Sequence, residues 1–377
     1  MEEKRSNGVL IIPALNPEPK FVGLLGEFVG YFQDVILVDD GSNEQGKAVF
    51  AEIAEKCGER VRILTHEVNG GKGKALKTAF AYYVQSDLKD KYVGVVTADC
   101  DGQHTFVDTV KLDESLGAYP EKSLHIGYRD LYSKNMPFRS KFGNRSTALL
   151  FSLLYGVKLK DTQSGLRAFS NDLMDWLLEI KGNRFEYEMN MLIQSKNVDL
   201  KTYEVPIETR YAEHHTSHYR TLQDSMRVLK VLLGGLISFI AAALVASVVD
   251  LGAFALLYYV ILPSEMDVSA ALLISTVASR VVSSVANFLF NRFVTFGGKR
   301  ISRSSVFKYY LLWALQLSAS YGSVLGLTLL FGGGEFFIKL VVDLVLSMLG
   351  YQVQLRWVFK KKEEKEEKST ARGSNSP

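Results

Sequence analysis

Residues 95–104 read VVTADCDGQH, an apolar run that ends in two carboxylates, Asp99 and Asp101, one residue apart. A run apolar at every position is buried on both faces, the habit of a strand inside a mostly parallel sheet. Three runs upstream share the pattern: VLIIPAL at 9–15, VILVD at 35–39 and VRILT at 61–65, separated by stretches of helical length. The alternation predicts an α/β domain with a mostly parallel sheet. Such sheets bind ligands beyond the carboxyl ends of their strands, and the first, second and fourth runs deliver PALNPE, DDGS and DCDGQH to that edge.

Side chains at i and i+2 of an extended backbone point the same way, so Asp99 and Asp101 are expected to converge and Cys100 to face the opposite side. Two hard oxygen ligands suit Mg²⁺ or Mn²⁺ held jointly with a substrate diphosphate. Asp39 and Asp40 with Gly41 and Ser42 read equally well as a plain turn with a helix cap. The segment NGGKGKALKTAF at 69–80 is glycine-rich and then helical, so its N–H groups with Lys72 or Lys74 are expected to face phosphate. It is neither a Walker loop, lacking the closing Gly-Lys-Ser/Thr, nor a dinucleotide fingerprint.

At 377 residues the chain is long enough for two domains. Its 44 basic and 41 acidic residues are widely spread for a net charge of +3, which excludes the basic field that nucleic-acid binding requires. Cys57 and Cys100 stand far apart with no second ligand at metal spacing, so neither a disulfide framework nor zinc is indicated. The opening MEEKRSNG has no apolar signal region.

No Lys or Arg occurs from Val231 to Ser279. Gly234 to Leu262, Ala270 to Phe290, Phe307 to Phe331 and Phe336 to Trp357 are each long enough to cross a bilayer. Basic residues cluster at alternate ends of these spans, which predicts a multi-pass membrane protein with both termini and the soluble domain cytoplasmic. The expected organisation is a tail at 1–8, the α/β domain at 9–215, an amphipathic juxtamembrane segment at 216–233, four spanning helices within 234–359 and a solvated tail at 360–377. NRFVTF at 291–296 and LRWVF at 355–359 echo one another at the ends of the second and fourth spans. Asp250, Arg280 and Asp343 are charges inside spans, where they pair with each other or mark a polar path.

The segments IIPALNPE, VILVDDGS, NGGKGKAL, TADCDGQH, IGYRD, PFRSKFGNR, DTQSGLRAF, FEYEMN and SHYR occur in this order. Together they resemble the family 2 glycosyltransferases of GT-A (Rossmann-like) fold, in particular the polyprenyl-phosphate hexosyltransferases related to dolichyl-phosphate mannose synthase. Residues 234–359 resemble the GtrA-like membrane domain. The resemblance implies metal-dependent, inverting transfer of a hexose from a nucleoside-diphosphate sugar to undecaprenyl or dolichyl phosphate, with glucose the first expectation and mannose from GDP-mannose the second. By position, Pro13, Leu15, Asn16, Glu18, Asp39, Asp40, Lys72, Asp99 and Arg220 would bind the nucleotide sugar, and Asp99, Asp101 and Gln103 the metal. Arg129, Arg139, Arg145, Ser164 and Arg167 would take the acceptor phosphate, with His218 beside Arg220 closing over the diphosphate. Asp99, Asp101, Arg129 and Arg167 form the implied catalytic set. Leu15 stands where the family often has Tyr, which removes a ring that would stack on the base.

A phosphate monoester with a second pKa near 6 is largely dianionic at neutral pH, so this acceptor needs little help from a base. It needs cations, because two phosphorylated substrates repel and the leaving diphosphate gains charge. Asp161 is expected to orient an arginine, and Glu186 and Glu188 to support the acceptor loop rather than to form a glycosidase pair. A processive polysaccharide synthase would carry Gln-x-x-Arg-Trp in a catalytic loop. Here Gln352 and Gln354 precede Arg356 and Trp357 at other offsets. The membrane domain reads as an anchoring platform in preference to a flippase, which would need oligomerisation to make a pathway.

Overall fold

The computed structural model describes residues 5–130, 138–196, 198–208, 221–298, 300–332 and 335–359, with backbone only at 138–140, 221–222 and 335–336. Seven strands build one sheet: β1 (Gly8–Ala14), β2 (Val35–Asp39), β3 (Val61–Thr65), β4 (Gly94–Thr97), β5 (Ser123–Arg129), β6 (Arg167–Ser170) and β7 (Lys201–Ile207), in the order β3-β2-β1-β4-β6-β5-β7. All neighbouring pairs are parallel except those of β6, which runs against both β4 and β5. The expected α/β class with a mostly parallel sheet is the observed one.

Strands β1, β2 and β4 are buried at every residue, as their unbroken apolar runs require. Leu10, Ile12, Val35 and Leu37 pack with Phe21, Leu25 and Phe28 of the helix Lys20–Val29 and with Val49 and Ile53 of the helix Glu44–Cys57. The alternate residues Ile11, Ile36 and Val38 are equally buried and point the other way, toward the side where the helix Lys72–Gln85 lies against β1 and β2. This helix–sheet–helix sandwich leaves the carboxyl ends of β1, β2 and β4 as the open edge.

The chain divides into two compact units with the main boundary between Leu232 and Leu233. Of the juxtamembrane segment expected at 216–233, residues 221–233 belong to one uninterrupted helix that runs from Thr221 to Leu256. No Gly or Pro breaks 221–233, so nothing in that stretch stops the helix short of the apolar residues that follow. Four helices are long and apolar enough to span a membrane: Gln223–Ile261, Val268–Thr295, Arg303–Phe331 and Phe337–Val358. Their outer faces expose Leu244, Val248, Leu251, Val277, Leu329 and Leu344, the surface a lipid-facing helix presents. The echoing segments share a geometry, because Asn291–Thr295 and Gln354–Val358 are both π-helical turns. Phe296 and Phe359, which follow those turns, stack at 5.1 Å.

Inside the second unit, Asp250 accepts a hydrogen bond from Ser283 Oγ at 3.1 Å and pairs with Arg280 at 3.5 Å. Asp343 pairs with Lys339 at 2.8 Å and accepts from Ser320 Oγ at 2.6 Å. The intramembrane charges therefore pair locally.

Candidate active site

The open edge carries a cavity of about 610 Å³ lined by Pro13, Leu15, Asn16, Asp40, Lys72, Asp99 and Asp101 among others. Its shape starts with backbone chemistry. Asn16 adopts φ 47°, a left-handed conformation that Asn tolerates better than other side chains. Its N–H donates to Ser42 Oγ at 2.8 Å and its Oδ1 accepts from the Asn43 N–H at 2.7 Å, which ties the end of β1 to the loop after β2. Asp39 Oδ1 accepts from the Ser42 N–H at 2.8 Å, so Asp39 is a buried turn residue within that loop.

Asp40 is the hub of this side of the cavity. It accepts from the N–H of Gly70 at 2.9 Å and of Gly71 at 2.7 Å, and its Oδ1 lies 2.7 Å from His66 Nδ1. The glycine-loop N–H groups expected to face phosphate are therefore turned, at Gly70 and Gly71, toward Asp40. Gly71 sits at φ 94°, and a Cβ there would fall 2.6 Å from the Asn183 carbonyl oxygen, which requires glycine at that position. The loop aims the first residue of its helix, Lys72, into the cavity.

The acidic pair is brought together differently from the extended geometry expected. Strand β4 ends at Thr97 and the chain turns through 100–102, with Gly102 at φ 76°. Asp101 Oδ1 accepts from the Gln103 N–H at 2.9 Å, and the Asp99 N–H donates to His104 Nδ1 at 3.1 Å. Cys100 is among the residues lining the same cavity and packs against the core cluster of the sheet. Burial, helped by both aspartates, pushes its thiol up to about 12, so it is no nucleophile at neutral pH.

Lys72 Nζ lies 2.7 Å from Asp99 Oδ1 and 3.1 Å from Glu188 Oε1. Burial works to lower the lysine pKa, and the two carboxylates overcome it and raise the value. For Asp99 burial works upward, and Lys72, His104 and Arg167 overcome it and hold the group ionised. Burial also keeps His104 below its ordinary value, in keeping with a ring whose Nδ1 accepts a hydrogen bond. Asp99 and Asp101 line the cavity and are hard-oxygen donors of the kind Mg²⁺ and Mn²⁺ take, whereas Gln103 is not among the lining residues, and a cation already rests on Asp99 in the form of the Lys72 ammonium. The residues fit a divalent ion.

A second cavity, of about 490 Å³, is lined by Tyr128, Arg129, Asp130, Arg145, Lys158 and Lys160 among others. Four cations line it beside Asp130, with Asp161 behind Arg129, so positive charge is in excess around it. Asp161, fully buried, holds Arg129, the role expected of it, and the Lys160 ammonium sits 4.0 Å from the centre of the Tyr128 ring. Lys158 and Lys160 were absent from the sequence reading because they fall between motifs.

Five expected ligands, Asp39, Gln103, Arg167, Ser164 and Glu18, line neither cavity. Arg167 is 1% exposed, and its guanidinium donates to the carbonyls of Ser164 at 3.0 Å and Glu188 at 3.1 Å. It sits beneath the site as a buried brace, because β6 begins at Arg167 and carries it between β4 and β5. Ser164 is buried as well, and its hydroxyl has no hydrogen-bond partner among the described residues. Glu18 is exposed outside the cavity and pairs with Lys20 at 2.7 Å. The Arg139 side chain, His218 and Arg220 lie outside the described residues. Glu186 Oε1 accepts from the N–H groups of Asn183 and Arg184, which ties the preceding loop to the start of the helix Glu186–Ser195, while Glu188 reaches Lys72. The two glutamates therefore serve different ends of the site.

A sheet of this order with an acidic turn after β4 is the frame of a nucleotide-sugar transferase, and comparison with known proteins agrees. Residues 10–106 match the model of glycosyl transferase family 2, and residues 238–359 that of the GtrA/DPMS transmembrane domain. The chain is 31% identical over 242 residues to the UDP-N-acetylglucosamine--dolichyl-phosphate N-acetylglucosaminyltransferase of Methanococcus voltae, covering 59% of this chain and 94% of that one. It is 27% identical to the human dolichyl-phosphate beta-glucosyltransferase, over 43% of this chain and 54% of that one. Among solved structures, the mannosyltransferase PcManGT of Pyrobaculum calidifontis, in complex with GDP-Man and Mn²⁺, aligns with 94% of this chain and 88% of its own at 14% identity and a TM-score of 0.39. The chain belongs to glycosyl transferase family 2 and is a glycosyltransferase followed by a GtrA/DPMS transmembrane domain.

Proposed function

We propose that the protein transfers a hexose, glucose from UDP-glucose, to the phosphate of a polyprenyl lipid, and that it does so with a divalent metal ion. The observation that carries this reading is the pair of cavities in one catalytic unit: one lined by Asp99, Asp101 and Lys72, the other by the four cations Arg129, Arg145, Lys158 and Lys160. The first suits a metal-bound diphosphate and the second an anionic acceptor. The relatives support the acceptor class, since they are named for dolichyl phosphate, and Mn²⁺ is present with the aligned mannosyltransferase. Their names differ in the sugar.

In this reading Asn16, Asp40 and the glycine loop shape the nucleotide pocket, and Lys72 meets the diphosphate. Asp99 and Asp101 would hold the ion, whose charge would offset the negative charge that builds on the departing nucleoside diphosphate. Arg129, Arg145, Lys158 and Lys160 would collect the acceptor phosphate, which attacks as a dianion without a proton to lose. No side chain need act as nucleophile, which accords with the raised Cys100 thiol. In this reading the catalytic unit lies on the cytoplasmic side with the spans as its platform, a reading supported by the Lys and Arg clusters at alternate span ends.

Release of nucleoside diphosphate on adding polyprenyl phosphate, with and without Mg²⁺ or Mn²⁺, tests the activity. A panel of UDP-glucose, UDP-N-acetylglucosamine and GDP-mannose tests the sugar. Full turnover by Asp101→Ala would overturn the metal assignment, and turnover with GDP-mannose alone would replace glucose by mannose.

A further inference from the structure

Two observations meet at Asp99. Among the described residues no group of three His, Cys, Asp or Glu side chains converges as a metal cage. A hard divalent ion at Asp99 and Asp101 must therefore take most of its oxygens from elsewhere, and a donor diphosphate supplies them. The second observation is the position of Lys72. Its ammonium rests on the same carboxylate oxygen, Asp99 Oδ1, at 2.7 Å, with Glu188 Oε1 on its other side at 3.1 Å. A Cβ on Gly165 would fall 2.6 Å from both Asp99 Oδ2 and Lys72 Nζ, so the Gly165 backbone stands against the pair on one side, while both side chains open onto the cavity. Two cations at contact distance on Asp99 Oδ1 repel each other strongly.

We infer that Lys72 is a counter-cation shared between Asp99 and Glu188, and that it makes uptake of the metal conditional on the donor diphosphate. The ion gains Asp99 Oδ1 as the ammonium moves off it, and the ammonium moves onto Glu188 and the arriving diphosphate. Glu188 is then a positioning residue: it keeps Lys72 at the cavity after Asp99 has turned to the metal. Coupling of this kind is reciprocal, so the ion tightens the nucleotide by the same factor as the nucleotide tightens the ion. The inference rests on the metal-dependent reading above and adds to it a competitor for the metal.

The test is Mn²⁺ binding to the full-length protein in detergent, followed by electron paramagnetic resonance with and without UDP, and in a parallel series GDP. The wild type is expected to bind Mn²⁺ at least tenfold more tightly with its nucleotide. Lys72→Met is expected to bind Mn²⁺ without nucleotide at least tenfold more tightly than the wild type, with the nucleotide effect reduced below threefold. Lys72→Arg should behave as the wild type. Lys74→Met removes an exposed cation two residues away and measures the effect of net charge alone, expected below threefold. Lys72→Met binding no more tightly than Lys74→Met, or keeping the full nucleotide effect, overturns the inference. Should Lys72→Met fail to fold, Glu188→Gln decides. It leaves Lys72 to Asp99 and should weaken nucleotide-free Mn²⁺ binding at least threefold, and unchanged binding overturns the inference. Mn²⁺ binding that survives Asp101→Ala at wild-type strength, or is missing from the wild type with either nucleotide, overturns the metal reading itself. Binding lost in Asp101→Ala but unaltered in Lys72→Met overturns the inference alone.

Discussion

Asp161 grips Arg129 through two parallel hydrogen bonds, Nε to Oδ2 at 2.6 Å and Nη2 to Oδ1 at 3.1 Å, while a third partner, the Gln163 N–H, donates to Oδ1 at 2.8 Å. The fork geometry fixes the plane of the guanidinium at the wall of the cationic cavity. Asp161→Asn should raise the KM for polyprenyl phosphate at least tenfold and leave the KM for the sugar donor within twofold. Asp161→Ala, which removes the bidentate partner from a buried pair, should also destabilise the protein by about 3 kcal/mol. Steady-state kinetics and denaturant unfolding in detergent check the two expectations.

Gly165→Ala tests the packing around Asp99. The added methyl would stand 2.6 Å from both Asp99 Oδ2 and Lys72 Nζ, closer than carbon atoms approach such groups. Turnover should fall at least tenfold, whereas the added carbon should cost no more than about 1–3 kcal/mol of stability. Parallel activity and thermal-unfolding measurements separate the two effects.

His125 carries a pH dependence unrelated to the site. It is fully buried in β5, faces Ser115 Oγ at 2.7 Å and Ser123 Oγ at 3.0 Å, and stacks on Tyr203 at 5.0 Å. Burial lowers its pKa to about 4. Below the ordinary value near 6.5 the unfolded chain takes up a proton that the folded chain refuses, so stability falls as pH drops from 6.5 toward 4. The loss has an upper bound of about 3 kcal/mol at 1.36 kcal/mol per pH unit. Unfolding free energy measured from pH 7 to pH 4.5 should decline less steeply in His125→Gln than in the wild type.

In the membrane unit, Arg280→Leu removes the partner of Asp250 and leaves it the Ser283 hydroxyl. A lone carboxylate within a span costs about 2.5–3.5 kcal/mol, so the thermal midpoint in nanodiscs should fall by several degrees. The double variant Asp250→Leu/Arg280→Leu should recover most of it. If the spans serve as a platform, that variant keeps turnover within threefold and leaves the sidedness of the lipid-linked sugar in vesicles unaltered.

Strands β1, β2 and β4 were legible because complete burial demands apolar residues at every position, and their polar ends marked the ligand edge. The later strands were not. β7, KTYEVPI, is exposed or half-exposed along most of its length, and β6 is four residues long with a buried arginine at its start. The turn at Asp99 and Asp101 was recognisable as a site, but its geometry was not, because hydrogen bonds to Gln103 and His104 bend the backbone that the spacing suggested was extended. Glu188 was read as support for the acceptor loop because only the fold brings its helix to Lys72. Arg167 was read as a ligand from its motif, since sequence does not distinguish an arginine that touches substrate from one that carries the floor.

Because β6 runs against its neighbours, its beginning and not its end arrives at the ligand edge, fed by the segment 156–166. On the proposed function, recognition of the donor would lie in the exits of β1, β2 and β4, whereas Lys158, Lys160 and Asp161 stand in an entrance. The two specificities are thereby separable: grafting that one entry segment from a relative should retarget the recipient molecule while the choice of nucleotide stays put.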